Sequence, residues 1–133
     1  MGRKTSEESK TKLKTKMERK FVNKTKYVLD DFATIIVKWY VPIVIEYATR
    51  KQKLSDCTLY GEIQVKEQDG EYKELINIGS IDIMFESNYD VEISYDGFKL
   101  SWHEEIGNEM TIEGTKERAM RKVVKFLEVY YYD

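Results

Sequence analysis

Between Cys57 and His103 the chain switches between apolar and polar residues one position at a time. Leu59, Gly61, Ile63 and Val65 alternate with Thr58, Tyr60, Glu62, Gln64 and Lys66. That is the pattern of a strand with one buried and one wet face. A second apolar stretch runs from Glu74 to Phe85, and Gly79-Ser80 marks a bulge or a break in it. Val91, Ile93 and Tyr95 alternate next, then Phe98, Leu100 and Trp102, with Asp96-Gly97 between the two runs. An Asp-Gly pair in that setting predicts a tight hairpin, and Asp69-Gly70 marks an earlier turn. The segment reads as an antiparallel meander followed by an acidic loop from Glu104 to Glu113.

The flanks read differently. Leu13, Met17 and Phe21 recur at every fourth residue, which predicts a helix over Ser6–Val22. Thr5 or Ser6 would cap it, and Glu7 and Glu8 suit its first turn. Val28, Phe32, Ile36, Trp39 or Tyr40, Ile43 and Tyr47 fall at spacings of three and four, predicting a longer helix over Tyr27–Lys53. Two features pull against it. The run is crowded with β-branched residues from Ile35 to Ile45, and Pro42 lacks the amide proton that a helix needs. Thr115–Tyr132 predicts a closing helix. Thr115 caps it after Gly114; Ala119, Met120, Val123, Phe126, Leu127 and Tyr130 line one face, with Arg118, Arg121, Lys122 and Lys125 on the other. The expected fold is α+β: a meander of 4-5 strands flanked by an N-terminal helical region and a C-terminal amphipathic helix. Residues 1–26 form a basic N-terminal arm, and 27–133 a single α+β domain.

Charge sharpens that division. The 133 residues carry 22 basic and 24 acidic side chains, a net −2 that hides a segregation. The basic residues Arg3, Lys4, Lys10, Lys12, Lys14, Lys16, Arg19, Lys20, Lys24 and Lys26 crowd the arm, against only Glu7, Glu8 and Glu18. From Leu54 to Glu113 the acidic residues dominate, with Lys66, Lys73 and Lys99 the sole cations. Fields of one sign on separate regions suit contact with other macromolecules. The arm is expected to reach a neighbouring subunit or nucleic acid, because each cation offsets a phosphate charge. The acidic body, with Glu62, Glu86, Glu92, Glu104 and Glu105 as its partner face, would suit a basic protein groove. Ten tyrosines, three of them consecutive at Tyr130–Tyr132, add interface-forming surface.

Little in the chain points to catalysis. His103 is the one histidine and Cys57 the one cysteine, too few for a zinc site. Cys57 reads as a buried, inert thiol, and a lone cysteine suits a reducing compartment. His103 reads as a surface residue at a strand end. No phosphate-binding glycine loop, calcium loop or bound cofactor is expected. Gly79-Ser80-Ile81-Asp82-Ile83 followed by Tyr89-Asp90-Val91-Glu92-Ile93-Ser94 resembles the core of restriction-like nucleases. The resemblance implies a magnesium ion held by Asp82 and Glu92, although Ser94 stands where that family has a lysine.

These features favour a small, non-enzymatic interaction protein, a subunit or accessory factor of a larger assembly, of viral or phage type. Its partners would be another protein, a second copy of itself or nucleic acid. No apolar run is long enough to cross a bilayer, and a cytoplasmic setting, of a host cell if viral, is expected. The alternatives are an inhibitor whose acidic sheet mimics DNA, and the magnesium nuclease.

Overall fold

The computed structural model describes residues 15–31, 33–46, 51–54, 58–69 and 72–132. Among them are seven strands: β1 (Thr15–Leu29), β2 (Ala33–Glu46), β3 (Lys51–Leu54), β4 (Thr58–Asp69), β5 (Tyr72–Met84), β6 (Asn88–Tyr95) and β7 (Phe98–Glu105). One helix, α1 (Ile112–Tyr132), ends the chain. The sheet order is β1-β2-β4-β5-β6-β7, with every neighbour antiparallel; the short β3 pairs with the far half of β2, beyond the end of β4.

This overturns the N-terminal helical region and the count of 4-5 strands. The described part of Ser6–Val22 lies in β1, and the described residues of Tyr27–Lys53 form the end of β1, a turn at Asp30-Asp31, β2 and the start of β3. The physical reason is an ambiguity of spacing. Residues four apart share a helix face, but they also share a strand face, because four is twice the strand repeat. What decides is the neighbouring parity: Ala33, Ile35, Val37 and Trp39 are all buried, while Thr34, Ile36, Lys38 and Tyr40 between them are not. The β-branched content then favours the extended backbone. Pro42 finds a position that requires no ladder bond on one side. It sits between the β2–β4 ladder, which ends at Tyr40, and the β2–β3 ladder, which starts at Ile43.

The meander matches its sequence pattern closely. Asp96 and Gly97 both take positive φ, 50° and 86°, the twist that a two-residue hairpin turn demands. A bulge leaves Ile78 unpaired between the Gln64↔Asn77 and Ile63↔Gly79 pairs. The residues Gly70 and Cys57 lie outside the described set.

One face of the sheet carries the core. Trp39, Ile35, Val37, Ile63, Val65, Ile81, Ile83, Tyr89 and Val91 are fully buried there, against Ala119, Val123 and Leu127 of α1. The helix begins three residues before the expected Thr115. Its cap is Thr111, whose hydroxyl accepts from the Gly114 amide at 3.0 Å. Thr115 is buried instead, and donates to the Thr111 carbonyl at 2.9 Å.

Candidate nucleic-acid interface

A sheet with a helix on one side leaves its other face to be explained. Among the described residues α1 is the sole helix, and it covers the core face. Cross-strand register sets out the opposite face in rows, since paired residues share a side. One row runs Phe21, Tyr40, Tyr60, Asp82, Asp90, His103 from β1 to β7. The next runs Lys24, Lys38, Glu62, Ser80, Glu92, Ser101.

The β1–β2–β4 half of this face is aromatic and basic. The Phe21 and Tyr40 rings lie 5.8 Å apart, and those of Tyr40 and Tyr60 lie 6.3 Å apart. The Arg19 guanidinium stands 3.8 Å from the Tyr60 ring centroid, in cation–π range. Phe21 is 48% exposed, a cost in water unless something covers it. Beside the rings, Lys24 and Lys38 occupy directly opposed positions on β1 and β2. Like charges so placed destabilise a strand pair, and an anion between them relieves the repulsion. Lys26 is the next outward residue of β1.

The β5–β6–β7 half has the opposite sign. Asp82 and Asp90 are directly paired across β5 and β6, a second like-charge pair. Glu92 accepts from the Ser101 hydroxyl at 2.8 Å. His103 bridges two carboxylates, with Nδ1 2.7 Å from Asp90 and Nε2 3.0 Å from Glu105. The hydrogen bond to Glu105, then that to Asp90, holds the imidazole above its usual titration range.

The sequence-derived candidates therefore scatter and regroup. Arg3, Lys4, Lys10, Lys12 and Lys14 lie outside the described residues, and Lys16 falls within β1. Arg19, Lys24 and Lys26 share the outer face; Lys20 alternates to the other side of β1. Of the acidic set, Glu62, Glu92 and Glu105 lie on the outer face. Glu86 sits in the β5–β6 turn with φ of 63°. Glu104 faces α1, where Arg118 donates to it at 2.5 Å and Tyr89 at 3.2 Å. That guanidinium holds its carboxyl below the ordinary glutamate range. Asp82 and Glu92, the pair implied by the nuclease resemblance, occupy diagonal positions on one face. Among the described residues no group of three or more histidine, cysteine or acidic side chains is placed to hold a metal ion. No described helix is long and apolar enough to cross a membrane.

The helical readings of Ser6–Val22 and Tyr27–Lys53 hide Phe21, Lys38 and Tyr40 as site residues, and Tyr60 reads only as a polar position in its strand. The detectable signal was the even-numbered parity of Thr34, Ile36, Lys38 and Tyr40 against the odd-numbered core positions. Comparison with protein-family models, curated protein sequences and solved structures finds no match.

Proposed function

We propose that this chain is a binding module that engages single-stranded nucleic acid on the outer face of β1, β2 and β4, as an accessory factor or subunit of a larger assembly. The observation that carries the reading is the row Phe21–Tyr40–Tyr60 on a sheet face that no described helix covers, flanked by Arg19, Lys24 and Lys38. Proteins that bind single strands combine aromatic platforms for the bases with cations that track the phosphates. Duplex DNA fits less well, because its bases are stacked on each other and offer no free face to these rings. The acidic half of the sheet repels phosphates and limits the strand to the basic columns. Lys4, Lys10, Lys12 and Lys14, before Thr15, add further positive charge to the chain. Such a module works inside a cell, where single strands are available.

The test is fluorescence anisotropy with labelled single-stranded RNA and DNA oligonucleotides at low salt. Tyr60→Ala and Phe21→Ala are each expected to weaken binding by about 5- to 150-fold, the value of ~1–3 kcal/mol per stacked base. Absence of binding by the intact chain, or affinities unmoved by both substitutions together, overturns the reading.

A further inference from the structure

The outer face bears two opposite halves, and their arrangement has a geometric consequence. Take a two-fold axis parallel to the strands, passing between β4 and β5, and stack a second copy face to face. Columns then exchange: β1 lies over the second copy's β7, and β2 over its β6. Rows are kept to within the offset that sheet twist imposes, since aligned sheets stack at about 30° to one another. Lys38 comes opposite the Glu92 row of β6, and Arg19 opposite the Glu105 row of β7. By symmetry each contact occurs twice.

We infer that this face is also a self-association surface, on which two copies stack with the basic columns of each against the acidic columns of the other. Three observations support a second copy as the occupant. The Lys24↔Lys38 pair opposes like charges within one sheet, and the stacking sets Glu92 against it, while the Asp82↔Asp90 pair comes opposite Tyr60 and Tyr40, whose hydroxyls can donate to the carboxylates. The size is adequate. Six strands about 4.8 Å apart and four rows about 6.7 Å apart give a face of roughly 29 by 27 Å, near the ~800 Å² each partner gives to a standard interface. The free edge of β1 is a poorer contact: its bulge at Val22 and its lysines discourage a strand from adding there.

The two uses of the face exclude each other in space, so a bound strand and a second copy compete for β1 and β2. The inference does not depend on the nucleic-acid reading, because its test contains no nucleic acid.

The experiment is light scattering coupled to size exclusion, with the full chain and two charge-reversed variants. One carries Arg19→Glu and Lys38→Glu; the other carries Glu92→Lys and Glu105→Lys. All four positions lie on the outer face, and circular dichroism checks that both variants fold. The wild type is expected to run as a dimer at low salt and to dissociate as salt screens the contact. Each variant alone is expected to be monomeric, and an equimolar mixture of the two to recover a heterodimer, because each reversed side chain then faces its reversed counterpart. A monomeric wild type at low salt, or variants that dimerise as well as wild type does, overturns the inference. The second variant keeps Phe21, Tyr40, Tyr60 and every cation of the basic half. Retained oligonucleotide binding in a chain that fails to dimerise therefore removes this inference and leaves the proposed function standing.

Discussion

The hydroxyls of Tyr95 and Tyr131 lie 2.9 Å apart, and both donate toward the carboxylate of Glu67. Tyr131 is one of three consecutive tyrosines at the end of α1, and each finds a different carboxylate. Tyr130 donates to Asp96 at 2.7 Å, in the β6–β7 turn, and Tyr132 donates to Asp30, in the β1–β2 turn. Successive helical residues point about 100° apart, so three in a row reach three separate parts of the sheet. The last turn of the helix is thereby tied to β1, β4 and β6. The run Tyr130–Tyr132, which reads in the sequence as interface surface, is also a clamp.

Tyr131→Phe is expected to cost about 1 kcal/mol, the usual net value of one hydrogen bond, as measured by urea unfolding at neutral pH. The pH dependence has a definite sign. Burial, reinforced by the nearby Glu67, raises the Tyr131 phenol above its ordinary range. A raised value means that the fold favours the protonated form. That contribution is complete below the unfolded value near pH ~10 and is lost as pH climbs through the folded one. Alkaline unfolding scans should show this loss in the wild type and a smaller one in the Phe variant.

Gly79 tests the bulge. A β-carbon there would meet the Glu92 carbonyl oxygen at 1.9 Å, and a backbone oxygen cannot swing aside. Gly79→Ala is expected to cost about 3 kcal/mol or more. At Gly61 the nearest atom is on the Trp39 ring at 2.8 Å, and a side chain can tilt. Gly61→Ala is expected to cost less, about 1–2 kcal/mol. Equal losses in the two variants, by denaturant midpoint, would contradict the register of β5 on β6.

The single histidine gives a clean spectroscopic handle on the acidic half. Proton NMR should place His103 titration above the ordinary imidazole value. Glu105→Gln and Asp90→Asn should each lower it, the former by more. Because the folded value is raised, the charged bridge is complete below pH ~6.5 and lost as pH rises through the folded value. A midpoint unmoved by both substitutions would mean that the bridge does not persist in solution.

The basic columns should leave a salt signature. Each phosphate contact on a single strand contributes about −0.7 to the slope of log affinity against log salt. Lys24→Ala and Lys38→Ala are each expected to flatten that slope by about this amount, uniformly across base sequences. Tyr60→Phe should leave affinity nearly intact where Tyr60→Ala does not, since stacking uses the ring and not the hydroxyl.

Thr111→Ala removes the helix cap and is expected to cost about 1 kcal/mol, while Thr111→Ser is close to neutral. Thermal unfolding of the two variants side by side measures the difference.

Some of this was written in local order along the chain. The alternation from Leu59 to Trp102, the Asp96-Gly97 turn and the amphipathic run of α1 are local signals. Strand period, turn dihedrals and helix period each act over a few residues, so the meander and the closing helix could be read without the fold. The segregation of lysines from carboxylates was equally plain. Tertiary structure alone decided the rest. Apolar residues at intervals of four satisfy both periods, and only the presence of β4 beside β2 makes the odd-numbered face of Ala33–Trp39 the buried one. Among the described residues, the helix had to claim one side of the sheet before the other stood without a helix over it. Phe21, Tyr40 and Tyr60, up to 39 residues apart in the chain, form a row only because register sets them side by side. The same register faces Lys24 with Lys38 and Asp82 with Asp90, a relationship between strands that no reading along a single strand contains.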